Sequence, residues 1–73
     1  MIDNTGVELR KGQYVKVIYG APKQVCYGII SDIDHALALI KFDGFFSWRA
    51  GSSLVNISKD EYEQQIMLQL LEK

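Results

Sequence analysis

Asp32, Asp34 and His35 lie within four consecutive positions, and two carboxylates with an imidazole form a set that a divalent metal ion accepts as ligands. The same residue types are also common in tight turns, where they tolerate the local backbone and hydrogen-bond to it. Cys and His residues do not cluster at the spacing of a zinc site. The sequence therefore predicts a turn at these positions and no metal site.

Cys26 and His35 are types that can serve as nucleophile and base, but no third residue at a recognisable spacing would orient the pair. Packing of a buried thiol is the favoured interpretation of Cys26, which as the single cysteine cannot form a disulfide within the chain. The glycines are separated by strand-like segments and form no phosphate-binding loop. We therefore expect no enzymatic activity, no cofactor and no small-molecule substrate.

Basic and aromatic side chains are interleaved along the middle of the chain, which is the chemistry of base stacking combined with phosphate contact. Exposed aromatic groups also suit a contact with another protein. The formal net charge is -1, so non-specific affinity for nucleic acid should be low. The favoured prediction is a non-catalytic protein-interaction module, and the alternative is a nucleic-acid-binding module that uses Lys16, Lys41 and Arg49. For either partner the predicted binding residues are Tyr14, Lys16, Lys41, Phe45, Phe46, Trp48 and Arg49.

Two segments of the first half of the chain have the period-two alternation of half-buried strands. In residues 14–19, Val15 and Val17 share one face. Residues 25–31 form the second segment, and Gly28 within it predicts a bulge or a sharp bend. We expect these strands to curl onto one another around a shared interior.

Residues 37–48 predict a β-hairpin, because Asp43-Gly44 is a dipeptide favoured in two-residue turns. Such a turn places Phe42 opposite Phe45 and fixes the pairing of the residues behind them. Both faces of the hairpin are then apolar. One face carries Ala38, Ile40, Phe42 and Phe45, and the other carries Leu37, Leu39, Phe46 and Trp48, with Lys41 near the tip. A small core takes only one of these faces, so the other needs a cover.

The C-terminal segment predicts a helix over residues 58–72. Ser58 and Glu61 have the spacing of a capping box. The apolar residues that follow recur at helical spacing, and they are Tyr62, Ile66, Met67, Leu68, Leu70 and Leu71. A helix of this length is marginal alone in water. We therefore expect it to cover the second face of the hairpin or to pair with another chain.

The 73 residues allow one domain, residues 1–73, with strands at 7–57 followed by the helix. This size is near the lower limit for a stable single core, so a homodimer is an expected source of stability. The start of the chain lacks the pattern of a signal peptide, and no segment has the ~20 apolar residues of a membrane span. We expect a cytoplasmic protein without a membrane partner.

The order of these segments resembles that of the SH3-like small β-barrels, which include SH3, KOW and Tudor modules. The resemblance extends over about residues 7–57 and is carried by ELRKGQYVKVI, GII, ALIKFDG, FFSWRAG and LVNI. It implies a mainly β fold, a small SH3-like five-stranded barrel, to which the one C-terminal α-helix is an addition. The chain lacks the N-terminal aromatic motif, the second tryptophan and the Pro-x-x-Tyr sequence of SH3 domains. Binding of proline-rich peptides is therefore not expected.

Overall fold

A computed structural model describes residues 1–42 and 44–71. The chain is mainly β, with five antiparallel strands in one sheet followed by one α-helix. The strands are β1 (Tyr14–Tyr19), β2 (Gln24–Asp34), β3 (Leu37–Phe42), β4 (Phe45–Ala50) and β5 (Leu54–Ile57); a 3₁₀ turn (Gly51–Ser53) joins β4 to β5, and the helix is α1 (Lys59–Leu71). Asp43 of the predicted turn and residue 72 of the predicted helix lie outside the described residues. No helix in the described ranges is long and apolar enough to cross a membrane.

The strand order is β4-β3-β2-β1-β5, so the two edge strands, β4 and β5, are consecutive in sequence. In a flat sheet these edges would lie roughly 19 Å apart, at about 4.8 Å per strand. The 3₁₀ turn between them has three residues and rises only about 6 Å. The sheet must therefore curl strongly. The described sheet is not closed, because β5 pairs only with β1, β4 pairs only with β3, and these two edge strands do not pair with each other. The predicted mainly β class with a C-terminal helix is confirmed, and closure into a barrel is not.

One face of the sheet carries the core. The hairpin register is the predicted one, with Phe42 opposite Phe45 and Leu39 opposite Trp48. Alternation then turns Ile40 inward, where it is fully buried. The core cluster consists of Leu9, Val15, Val17, Ile30, Ala38, Ile40, Phe42 and Leu54. Val15 and Val17 of β1 belong to this cluster, as does the hairpin face that carries Ala38, Ile40 and Phe42. The sequence leaves open which hairpin face points inward.

The second strand is longer than the sequence predicts. It continues through Asp32 to Asp34, and the turn follows at His35, whose φ is 54°. Pairing with β3 explains the difference, since Asp32 and Asp34 lie opposite Leu39 and Leu37 and this pairing overrides the local turn preference. The register irregularity lies between Ile30 and Asp32 and not at Gly28.

Gly28 allows close packing inside the sheet. A Cβ atom at this position would lie 2.5 Å from Cγ2 of Ile40 and 2.8 Å from the backbone oxygen of Lys41. Gly28 is buried, and its backbone needs no positive φ. The glycine is therefore required by the space that Ile40 occupies, which is a different reason from the bulge that the sequence suggests.

We predict that Gly28→Ala lowers the free energy of unfolding by about 1–3 kcal/mol, because the added methyl group overpacks a fully buried site. Urea unfolding at neutral pH measures the change. Gln24→Ala, at the exposed start of the same strand, is the matched control and should have little effect. A Gly28→Ala protein as stable as the wild type would contradict this account of the core.

The segment before β1 is attached to β5 through the carboxylate of Asp3, which is only 4% exposed. Oδ2 accepts a hydrogen bond from the backbone N–H of Asn56 at 2.6 Å. Oδ1 accepts from the backbone N–H groups of Thr5 and Val7 and from the Thr5 hydroxyl, at 2.8–2.9 Å. Burial by itself raises the pKa of Asp3, but these hydrogen bonds outweigh burial and hold the pKa below its ordinary value.

We predict that Asp3→Asn destabilises the fold by about 1–3 kcal/mol at pH 7, because an amide NH₂ would face a backbone donor that now has an acceptor. In the wild type the stabilisation by ionised Asp3 is complete above about pH 4 and is lost as the pH falls through the lowered pKa of the folded state. Urea unfolding between pH 2 and pH 7 should therefore show a shallower acid decline in Asp3→Asn. Asp34→Asn, at an exposed position, serves as the control.

The helix begins as the capping box predicts, since Oγ of Ser58 accepts from the backbone N–H of Glu61 at 3.1 Å. It lies against β1 and β2, and the ring of Tyr62 packs on Tyr14 at a centroid distance of 4.7 Å. Burial and the nearby Glu61 carboxylate raise the pKa of Tyr27 on β2. None of the 13 residues of α1 is buried. Only Ser58 separates α1 from β5, so the helix starts above β1, two strands from the hairpin, and leaves much of the hairpin's second face bare.

Candidate functional site

The hairpin outer face is the side of β3 and β4 that points away from the core. Alternation assigns its members, because Ile40 is buried and its neighbours must point the other way. Cross-strand pairing places Lys41 beside Phe46 and Leu39 beside Trp48. The hairpin outer face therefore consists of Leu37, Leu39, Lys41, Phe46 and Trp48.

Three of these side chains are strongly exposed for apolar groups. Phe46 is 56% exposed, and Leu37 and Trp48 are each 45% exposed. They lie on or next to β4, which has a strand neighbour on one side only in the described sheet. The hairpin outer face thus combines contiguous apolar surface with an open strand edge, two features that occur together at binding sites.

The predicted residues on β1 belong to a different part of the sheet. Tyr14 is half-buried because the ring of Tyr62 packs against it. Lys16 lies between Tyr27 on β2 and Val55 on β5 and is also half-buried. These positions are next to α1, so Tyr14 and Lys16 do not join the hairpin outer face.

Phe45 and Arg49 point toward the core side of β4. Phe45 lies opposite Phe42 and stacks on it, with ring centroids 4.8 Å apart, although 55% of Phe45 remains exposed at the hairpin tip. Arg49 lies opposite the buried Ala38, and its guanidinium carbon is 5.7 Å from the centre of the Tyr19 ring. Of the seven predicted binding residues, the structure brings together Lys41, Phe46 and Trp48.

Tyr19, Cys26 and Arg49 form a polar cluster at the open end of the core. The Cys26 thiol donates to the Tyr19 hydroxyl with a sulfur–oxygen distance of 3.4 Å. Cys26 raises the pKa of Tyr19, first through this hydrogen bond and then through its charge, while the Arg49 cation acts in the opposite direction. Nε of Arg49 is buried, and its N–H donates no hydrogen bond within the described residues. Because β1 and β4 are three strand spacings apart, this contact is a further sign of the curl.

We predict that Cys26→Ala lowers the pKa of Tyr19 toward its ordinary value of about 10, because it removes the hydrogen bond and the charge interaction through which Cys26 raises that pKa. Phenolate absorbance followed from pH 8 to pH 12 measures the change. Subtracting the titration of Tyr19→Phe isolates the contribution of this ring from those of the other tyrosines. An unchanged Tyr19 titration would contradict the contact.

The predicted turn residues do not assemble into a metal site. Nζ of Lys11 forms an ion pair with Oδ1 of Asp32 at 3.1 Å, and this contact lowers the pKa of Asp32. Nε2 of His35 lies 3.5 Å from Oδ1 of Asp34. No group of three or more metal-ligand side chains occurs in residues 1–42 and 44–71. Cys26 and His35 lie near opposite ends of β2 and its turn, so they do not form a nucleophile–base pair.

A groove of about 620 Å³ separates the second half of α1 from the tip of the hairpin. Tyr62, Ile66 and Leu70 line one wall, and Ile29, Phe42 and Phe45 are among the residues of the other. Lys41 is the only charged residue among the described lining residues. The groove is open and largely apolar, and it is continuous with the hairpin outer face at Lys41.

Comparisons with known proteins identify no relative. No protein-family model matches the chain, and no curated protein or solved structure matches it significantly. Any assignment of function must therefore come from the surfaces of the chain itself.

The predicted set of binding residues omits two members of the hairpin outer face, the half-buried Leu39 and the exposed Leu37. Leu37 is the one that adds exposed apolar surface. The alternation of residues 37–42 already places it on the second face, together with Leu39 and Lys41. The missing information was the position of α1, because exposure of Leu37 depends on where the helix docks.

Proposed function

We propose that the protein is a non-catalytic interaction module that binds an extended segment of another protein along β4. The observation that supports this proposal is that β4 is an edge strand and that Phe46 and Trp48 on it are 56% and 45% exposed. The segment would add a sixth strand to the sheet, and its side chains would cover the hairpin outer face. This mode of recognition is strand addition.

The sequence of β4 favours strand addition because its protection is limited to one charged side chain, Arg49, which is directed toward the Tyr19 ring. Proteins shield edges with Pro, Lys or a β-bulge. The six residues of β4 contain neither Pro nor Lys, and they pair with β3 in continuous register. Every second residue of an antiparallel edge strand directs its N–H and C=O groups outward, and these groups are available to a partner.

The side chains define the chemistry of the partner. Alternate residues of the added strand would lie against Phe46 and Trp48, so apolar residues are favoured there. Lys41 lies opposite Phe46 and favours one acidic residue nearby. The expected partner is therefore a strand-forming segment with alternating apolar residues and one carboxylate.

Nucleic-acid binding is the less favoured alternative, because the predicted cations are divided among different surfaces. Arg49 is directed to the Tyr19 ring on the core side, and Lys16 lies on β1 between Tyr27 and Val55. Lys41 is the only one of the three that accompanies the exposed aromatic pair. A single phosphate contact contributes little affinity at physiological salt.

The proposal also includes the finer architecture and the compartment. We propose an SH3-like barrel that is left open between β4 and β5, and the curl required by the three-residue turn supports it. The free thiol of Cys26 supports a cytoplasmic, reducing setting. Cross-strand nuclear Overhauser contacts between the backbones of β4 and β5 should be absent if the barrel is open there. Their presence would contradict strand addition along β4.

We predict that selection of a random eight-residue peptide library against the protein enriches alternating apolar sequences with one acidic residue. A selected peptide should change the fluorescence of Trp48, the single tryptophan, in a saturable manner. Phe46→Glu should weaken that binding at least tenfold, because it places a charge in the apolar contact. N-methylation of alternate peptide amides should abolish binding, because it removes the backbone hydrogen bonds.

Met67→Glu, at a similarly exposed apolar position on α1, is the matched control and should bind the peptide normally. Thermal unfolding should confirm that both variants remain folded. Failure to enrich any peptide, or equal binding by Phe46→Glu, would contradict the proposal. Low-salt binding of labelled single-stranded DNA that Lys41→Glu abolishes would favour the nucleic-acid alternative.

A further inference from the structure

The side of α1 that faces away from the sheet is polar at its start and apolar at its end. A helix turns about 100° per residue, so Met67, Leu68 and Leu71 lie on the side opposite Tyr62. They are 63%, 50% and 76% exposed. We call these three residues the α1 stripe. Their spacing of one, three and four residues is that of a helix–helix contact.

The α1 stripe has no role in the packing of the single chain. Tyr62 and Ile66 already form the side of α1 that faces the sheet. A helix of 13 residues is marginal alone in water, and none of its residues is buried here. A helix that is apolar on both sides usually has a second contact.

We propose that the α1 stripe pairs with the same stripe of a second copy of this chain, with the two helices antiparallel about a two-fold axis near Leu68. A two-fold contact requires a self-complementary surface, and a short apolar stripe satisfies that requirement. This contact is separate from the hairpin outer face, so it adds a second surface to the proposed function and does not depend on it.

The charges of α1 select the antiparallel arrangement. Its first turn carries Asp60 and Glu61, while the cation Lys59 already lies 4.0 Å from Glu63. In a parallel pair the acidic turns would be side by side, at the 8–10 Å separation of packed helices. In an antiparallel pair centred near Leu68 each acidic turn is about 12 Å from the axis, so the two are roughly 24 Å apart. That distance exceeds the Debye length of ~8 Å at physiological salt, and the repulsion is screened.

The exposed area sets the expected strength of the dimer. With aliphatic side chains of roughly 150–200 Å² each, the exposed parts of Met67, Leu68 and Leu71 supply roughly 280–380 Å² per copy. A stable interface needs about 800 Å² per partner, and smaller ones are weak and reversible. We therefore expect a weak, reversible dimer that dissociates on dilution.

Sedimentation equilibrium from 10 μM to 1 mM tests the proposal. The wild-type chain should change from monomer to dimer across this range, and the double variant Met67→Glu/Leu71→Glu should remain monomeric. Phe46→Glu should dimerise as the wild type does, although it should lose peptide binding. The two proposals can therefore fail independently. A monomer at every concentration, or a dimer that only Phe46→Glu abolishes, would overturn the inference.

Cross-linking tests the orientation. In a Cys26→Ser background, Leu68→Cys should form an intermolecular disulfide on mild oxidation, because this position lies near the two-fold axis. Asp60→Cys should not, because the two copies of this position are on opposite sides of that axis. Equal cross-linking by the two variants, or faster cross-linking by Asp60→Cys, would overturn the antiparallel arrangement.

Discussion

The space between β2 and β3 at Gly28 is the constraint on which the rest of this structure depends. Any residue other than glycine at position 28 would place its Cβ atom 2.5 Å from Cγ2 of Ile40. This close approach lets one sheet face of a 73-residue chain enclose a core of aliphatic side chains and one aromatic ring, Phe42. The core contains eight clustered residues among those described, and no residue of α1 is buried against it. The N-terminal segment is held by the buried Leu9 and by the Asp3 carboxylate, which attaches it to β5.

Elements whose pattern is local could be predicted from the sequence. The bounds of β1, the register of the hairpin and the Ser58 cap depend on alternation, on turn type and on one side-chain spacing. The length of β2 could not be predicted, because its polar end, Asp32 to Asp34, is kept extended by pairing with β3. Gly28 shows the same limit, since its role depends on a side chain 12 positions later in the chain.

The candidate site could be predicted only in part, for a related reason. The pattern of residues 37–48 establishes that both hairpin faces are apolar, but it does not establish which face is covered. Composition also groups Arg49 with Trp48, although adjacent residues of a strand point to opposite faces. Strand alternation alone could have separated Arg49 from the aromatic pair. The position of α1 required the tertiary structure, since it depends on the pairing of β5 with β1.

The short connection between β5 and α1 explains why two apolar surfaces remain on one small chain. Because only Ser58 intervenes, α1 begins over β1 and reaches the hairpin tip only with its second half, where the groove lies between Leu70 and Phe45. A longer connection would allow the helix to move over Phe46 and Trp48 and to cover the hairpin outer face within the chain. The same connection therefore leaves β4 an edge strand that α1 does not cover, and it turns the α1 stripe outward. The two surfaces therefore do not cover each other within one molecule. Both remain accessible to a second molecule.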